Sequence, residues 1–231
     1  MMERAAFDAC AATYDAALNR GLSMSGESKE YFVRGRIEWL SSRLRQHGRR
    51  PGRVLDYGCG TGGSARELLE RLPAASVTGV DVSSTSIDLA RRQCADIRVQ
   101  FSTVDEGPPA GAFDLAYCNG VFHHIEPAFR DRALAYISRA LSVGGYFAFW
   151  ENNPWNPGTR LIMRRIPFDR DAKMLSAHHA RTLLAGAGFE IITTDFLFLF
   201  PRAFVALRPL ERRLTQVPGG AQYMVLCRKR A

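Results

Sequence analysis

The sequence predicts a doubly wound α/β fold, a mostly parallel sheet with helices on both faces. Three observations carry that prediction. Short apolar strand patterns alternate with amphipathic helical stretches along most of the 231 residues. The first strand pattern runs directly into glycines and then into a helix. The length suits one large core rather than two full domains, so 1–231 is expected to form a single domain.

The elements follow in order. After an Ala-rich opening, Val33, Ile37, Leu40 and Leu44 form one helical stripe over 30–46, so 1–50 is expected to be a helical lead-in or lid. Residues 53–57 read as a buried strand, and 65–72 resumes a helical period through Leu68, Leu69 and Leu72. A strand is expected at 76–82, then a helix at 84–94 capped by Ser83 or Ser84, and strands at 97–102 and 113–118. A helix at 128–141 and a strand at 145–151 continue the alternation. Pro154, Pro157 and Pro167 then punctuate an aromatic and Arg-rich stretch at 152–173, expected to be an insertion forming part of a substrate pocket. A helix at 176–187, stopped by Gly188, precedes strands at 190–200 and 222–228. The apolar run Phe196 to Phe200 and the basic run to Leu214 are expected to be a buried strand and its covering helix. The alternative is an amphipathic surface that touches a membrane.

Composition narrows the class. No stretch reaches the roughly 18 apolar residues of a membrane span, and the N-terminus lacks a secretory pattern, so a soluble cytoplasmic protein is expected. Five scattered cysteines without a C-x-x-C pair argue against disulfides and structural zinc. The net charge of +8 comes almost wholly from arginines spread along the chain, which reads as a solvated basic surface rather than a nucleic-acid footprint.

The most informative segment is Val54-Leu55-Asp56-Tyr57-Gly58-Cys59-Gly60-Thr61-Gly62-Gly63-Ser64. Glycines at 58, 60 and 62 let backbone turn sharply and approach a ligand closely. Asp81, closing Gly79-Val80-Asp81, stands where an acidic side chain accepts from both ribose hydroxyls, with Val82 beside it. Asp56 precedes the glycines, where a carboxylate would repel a pyrophosphate and attract an ammonium. A ribose joined to a cationic amino acid describes S-adenosylmethionine.

VLDYGCGTGG resembles the first motif of the class I S-adenosylmethionine-dependent methyltransferases, and GVDVS resembles their second. The resemblance extends over nearly the whole chain, with the quinone-biosynthesis-like members as the model for residues 113–125. It implies a seven-stranded sheet whose last strand is antiparallel, the role of 222–228. It nominates Asp105 for the adenine amino group, and backbone around Cys118 and Asn119, with Cys59 in the first turn, for the methionine part. Tyr14 matches the family's N-terminal lid aromatic, and Tyr31 and Arg36 sit where relatives bind the cofactor carboxylate. Trp150 and Trp155 are candidates to enclose the sulfonium or shape the acceptor pocket.

Methyl transfer requires alignment of the acceptor and exclusion of water rather than a metal, and no acidic ligands follow strand four. No metal is expected. His123 and His124 are candidate bases for a hydroxyl acceptor, and only one of two adjacent residues should face it. The resemblance implies that the second His of such a pair is structural. Glu151, ending strand five, is the other candidate base. The expected activity is methylation of a small molecule, oxygen being favoured over nitrogen or carbon. Open alternatives are a lipid-linked or prenylated acceptor with peripheral membrane contact, a non-catalytic S-adenosylmethionine-binding partner protein, and an RNA methyltransferase. Oligomeric state is not legible.

Overall fold

Val54 and Leu55 are neighbours in the chain and lie in different cores, and that alternation organises the molecule. The computed structural model describes residues 8, 14–107, 109–170 and 172–230. The strands are β1 (Arg53–Tyr57), β2 (Ser76–Asp81), β3 (Val99–Thr103), β4 (Phe113–Asn119), β5 (Leu141–Asn152), β6 (Phe189–Leu197) and β7 (Gln222–Lys229). The helices are α1 (Tyr14–Leu22), α2 (Lys29–Gln46), α3 (Ala65–Arg71), α4 (Ser84–Gln93), α5 (Arg130–Ala140), α6 (Pro157–Arg165) and α7 (Ala177–Gly186).

The seven strands form one sheet in the order β3-β2-β1-β4-β5-β7-β6. The first five are parallel, and β7 runs antiparallel between β5 and β6. Helices α2, α3 and α4 cover the face that carries Val54, Tyr117, Ala148 and Trp150. Helices α5 and α7 cover the face that carries Leu55, Cys118, Phe147 and Phe149. Strand order reverses between β1 and β4, which opens a crevice at their carboxyl ends. A buried carboxylate fastens the far edge: Asp195 of β6 accepts from Trp39 Nε1 at 3.0 Å and from Arg43 Nε at 2.8 Å, both on α2.

Several expected boundaries move for identifiable reasons. Ile97 lies outside β3 and is almost fully exposed, because Asp96 closes a turn by accepting from the backbone of Arg98 and Val99. Strand β5 begins at Leu141, four residues before the expected start, because Leu141 pairs with Phe113 across an irregularity in the ladder. The stretch 152–173 contains helix α6, with Pro157 in its first turn and Asn156 capping Thr159 N at 2.9 Å. Strand β6 ends at Leu197, since Phe198 adopts φ +61°. The basic run is a 3₁₀ segment, Arg202–Arg213, kinked at Phe204; it buries none of its residues and is no covering helix. No helix among the described residues is long and apolar enough to cross a membrane.

Candidate active site

The β1 turn shapes the crevice through its glycines. Gly58 has φ +74°, and a Cβ there would lie 2.3 Å from Val121 Cγ2, so no other residue fits. Gly60 has φ +52° and faces open space. A Cβ on Gly62 would meet Phe101 and Ala90, so this glycine serves close helix–strand packing rather than the lining of the crevice.

Three cavities meet around this turn. The largest, about 430 Å³, runs from Tyr57, Gly58 and Gly60 past Asp81, Val82 and Asp105 to Asn119, Gly120 and His124, with Phe129 and Tyr136 on the α5 side. A smaller one of about 90 Å³ is lined by Arg36, Asp56, Gly58, Cys59, Gly60, Thr61, Tyr117 and Asn119. A third, of about 110 Å³, lies under α1, α2 and α6, where Phe32, Arg36, Ile162, Met163 and Gln222 join Asn119, Gly120, His123, His124 and Asp169. Asn119 borders all three, and His124 borders the largest and the third.

The electrostatics of the two smaller cavities differ. Asp56 is buried, and burial, reinforced by Asp81 and opposed by Arg36, raises its pKa to about 7. Its Oδ2 and the Oδ1 of Asn119 are buried acceptors without a donor among the described residues. Unpaired buried acceptors at a glycine turn are what a bound ammonium would satisfy. Arg36 is held from the opposite side, its Nε donating to Tyr117 Oη at 3.1 Å and its Nη1 to Gln222 Oε1 at 2.9 Å. Asp81 accepts from Gly60 N and Ser83 N, both at 2.9 Å, and a carboxylate keeps acceptor capacity beyond two such bonds. Burial raises the Asp81 pKa, and these backbone donors pull it back.

The two histidines have different surroundings. His123 is buried, with Nδ1 2.5 Å from Glu151 Oε2 and Nε2 3.5 Å from Asp169 Oδ1. Burial disfavours its charge, but Glu151 and Asp169 outweigh burial and raise its pKa to about 10. His124 places Nε2 3.1 Å from the same Asp169 oxygen. Burial, together with the charge on His123, lowers its pKa against the pull of Asp169, so it is neutral at pH 7. Hydrogen bonds from both rings hold Asp169 ionised despite its burial. Donor atoms of His123, His124 and Asp169 lie within 4.8 Å of one another, close enough to share a metal ion. In the same cluster His123 is engaged on both ring nitrogens, by Glu151 and by Asp169.

The expected site residues therefore separate. Asp56, Gly58, Cys59, Gly60, Asp81, Val82, Asp105, Asn119 and Arg36 come together at the cavities. The side chain of Cys118 lies in the core beneath α5, while the role expected at this position belongs to its backbone. Glu151 is buried, accepts from Phe122 N at 2.8 Å, pairs with His123 and lines none of the three cavities. Trp150 is fully buried and Trp155 is exposed, so neither encloses the crevice. Tyr31 packs on Phe198 beneath Arg208. Tyr14 opens α1, and its side chain lies outside the described residues. Of the histidine pair, both line the cavity under α6, and His124 alone also borders the largest of the three. Asp169 and Phe32 were missed. One is a carboxylate in an arginine-rich stretch and the other an apolar helix residue, and neither carries a local signal of its role.

Residues 54–145, which contain the glycine turn and both histidines, match the model of a methyltransferase domain. A malonyl-[acyl-carrier protein] O-methyltransferase of Geobacter sulfurreducens is 29% identical over 76% of this chain and 71% of its own length. A trans-aconitate 2-methyltransferase of Rhodopseudomonas palustris is 29% identical over 71% of this chain and 59% of its own. The chain spans between 24% and 71% of the length of such curated relatives. An S-adenosylmethionine-dependent methyltransferase from Mesorhizobium loti shares the fold, with a TM-score of 0.60 and 23% identity over 84% of this chain and 98% of that one. The domain match over 54–145, the relatives and the fold together support a class I S-adenosylmethionine-dependent methyltransferase.

Proposed function

We propose that the protein methylates a small-molecule acceptor, at oxygen, with S-adenosylmethionine as donor. One observation carries this reading: the wall between the largest cavity and the cavity under α6 is made of Asn119, Gly120 and His124, so groups bound on either side meet there. In the proposal the largest cavity takes the nucleoside, with Asp81 and Val82 at the ribose and Asp105 at the adenine edge. Asp56, Asn119 and the Gly58–Gly60 turn take the ammonium, with Arg36 toward the carboxylate. The 1–50 lead-in and the 152–173 insertion supply the walls of the acceptor cavity through α1, α2 and α6.

When bound, S-adenosylmethionine supplies a methyl group on a sulfonium, open to in-line displacement by a nucleophile. The chain's own work is alignment and proton removal. His124, neutral and oriented by Asp169, takes the proton of an acceptor hydroxyl as its oxygen attacks. His123 and Glu151 hold the β4 turn, and His123 with His124 keeps Asp169 ionised. The apolar side chains of Phe32, Ile162, Met163 and Ile166 exclude water from the acceptor. Support for oxygen comes from this dyad and from the O-methyltransferase relative.

The test is incubation with methyl-labelled S-adenosylmethionine and a metabolite extract. Label should pass to a small molecule and remain on the cofactor with His124→Gln. Calorimetry should show S-adenosylhomocysteine binding that Asp81→Ala weakens by about 1 to 3 kcal/mol. Tight binding with no transfer to any acceptor would instead make the protein a cofactor-binding partner without catalysis.

A further inference from the structure

The 3₁₀ segment Arg202–Arg213 presents Phe204, Val205, Leu207 and Leu210 to solvent, each between 42% and 57% exposed. None of them lines the cavities described above. Trp155 and Leu161, at the start and on the outer side of α6, are exposed as well. The 3₁₀ segment and α6 both reach the turn at residues 24–26, and the cap of α6 reaches the loop before β7. Arg202 Nη1 donates to Gly26 O at 3.4 Å, the Arg165 guanidinium meets the sulfur of Met24, and Asn156 Nδ2 donates to Gly219 O at 2.7 Å. Several large apolar side chains exposed on neighbouring segments mark a contact site.

The charge around it identifies the partner. Segments 155–166 and 202–213 together hold seven arginines and one acid, Glu211, which is turned inward to Phe200 N at 2.7 Å. Arg208 is paired with Glu27, while Arg160, Arg164, Arg212 and Arg213 stand exposed. Exposed apolar side chains interleaved with arginines fit an anionic bilayer, where the apolar groups enter the acyl boundary and the guanidinium groups meet lipid phosphates. A second copy fits poorly, because a two-fold contact would set this arginine cluster against itself.

We infer that this face docks the protein on an anionic membrane surface, with α6 as the partition between the bilayer and the cavity under it. The outer side of α6 carries Leu161, and its inner side carries Ile162 and Met163 of the cavity wall. The docking goes beyond methyl transfer, and it stands or falls independently of that activity.

The experiment is co-sedimentation of the full chain with vesicles of phosphatidylcholine alone and of phosphatidylcholine mixed with phosphatidylglycerol. Binding is expected to the mixed vesicles, weakened about tenfold or more by high salt. It should be lost in Phe204→Ser/Leu207→Ser/Leu210→Ser and in Arg212→Gln/Arg213→Gln. Both variants should keep the melting temperature and the S-adenosylhomocysteine affinity of the parent, since none of these residues borders the site. Should the apolar variant fold poorly, the arginine variant alone decides. Equal binding to neutral vesicles, no binding to either, or unchanged binding by the well-folded variants would overturn the inference. So would a dimer in light scattering that the apolar variant dissociates.

Discussion

Asp56 sets the function of this fold against its stability. Its carboxyl titrates near 3.8 in the unfolded chain and at about 7 in the folded one, because burial opposes its charge. The folded state therefore binds more protons between those values, and its stability falls as pH rises from about 4 to 7. At about 1.4 kcal/mol per pH unit, keeping Asp56 ionised costs the cofactor-free protein about 4 kcal/mol above pH 7. Relaxation and water entry reduce what is measured, so Asp56→Asn should stabilise the free protein at pH 8 by about 1 to 3 kcal/mol. For a chain of this size that is a rise of about 3 to 10 °C in Tm, and the gain should vanish near pH 4. The same substitution should weaken S-adenosylhomocysteine binding, because the ammonium loses its counter-charge. Parent affinity should also be several-fold weaker at pH 6 than at pH 7.5, where more of the carboxylate is ionised. Denaturation across pH and calorimetry with the variant read both effects. An Asp56→Asn protein that is less stable at pH 8 and binds the ligand normally would refute the argument.

The histidines should separate by assay. His124→Gln and Asp169→Asn should lower kcat by about 10²- to 10⁴-fold with cofactor affinity unchanged, whereas His123→Gln should lower Tm. Near-normal turnover of His124→Gln would leave alignment alone as the source of the rate. Gly58→Ala forces a Cβ onto Val121 in a left-handed backbone and should cost about 2 to 4 kcal/mol in chemical denaturation; an unchanged midpoint would mean the turn is adaptable. Turnover should survive EDTA, since Asp169 is engaged by two imidazoles. Loss of activity on chelation, restored by a divalent ion, would make His123, His124 and Asp169 a metal site.

Much of the cofactor side is legible in the sequence because it is local. Asp56, the glycines and Asp81 occupy one strand–turn–helix–strand passage, and backbone geometry there restricts which residues are allowed. The cavity under α6 is assembled from distant segments, and local pattern does not reach it. Asp169 meets His124 only because α6 turns the insertion back over the sheet. Helix α6 is itself hidden by its proline, which reads as a breaker until Asn156 is recognised as the cap and Pro157 as a first-turn residue. The order of the histidine pair depends on rotation about two adjacent residues, which spacing does not specify. Trp150 resembles a pocket aromatic by its place at a strand end, but pleat parity sends it into the core with Tyr146 and Ala148.

The placement of β7 governs how the chain is made. It lies between β5 and β6, and Tyr223 through Cys227 are buried. Strand β6 is synthesised earlier but has no ladder of its own to join, because β7 is its paired neighbour. During synthesis the parallel half of the sheet can assemble from β1 to β5, leaving the outer edge of β5 uncovered and α7 without its full seat. That interval exposes an apolar strand edge on the nascent chain, the kind of surface that recruits chaperones or seeds aggregation. Removing β7 would therefore detach β6 as well, so trimming the eight residues from Gln222 to Lys229 would forfeit two of the seven strands.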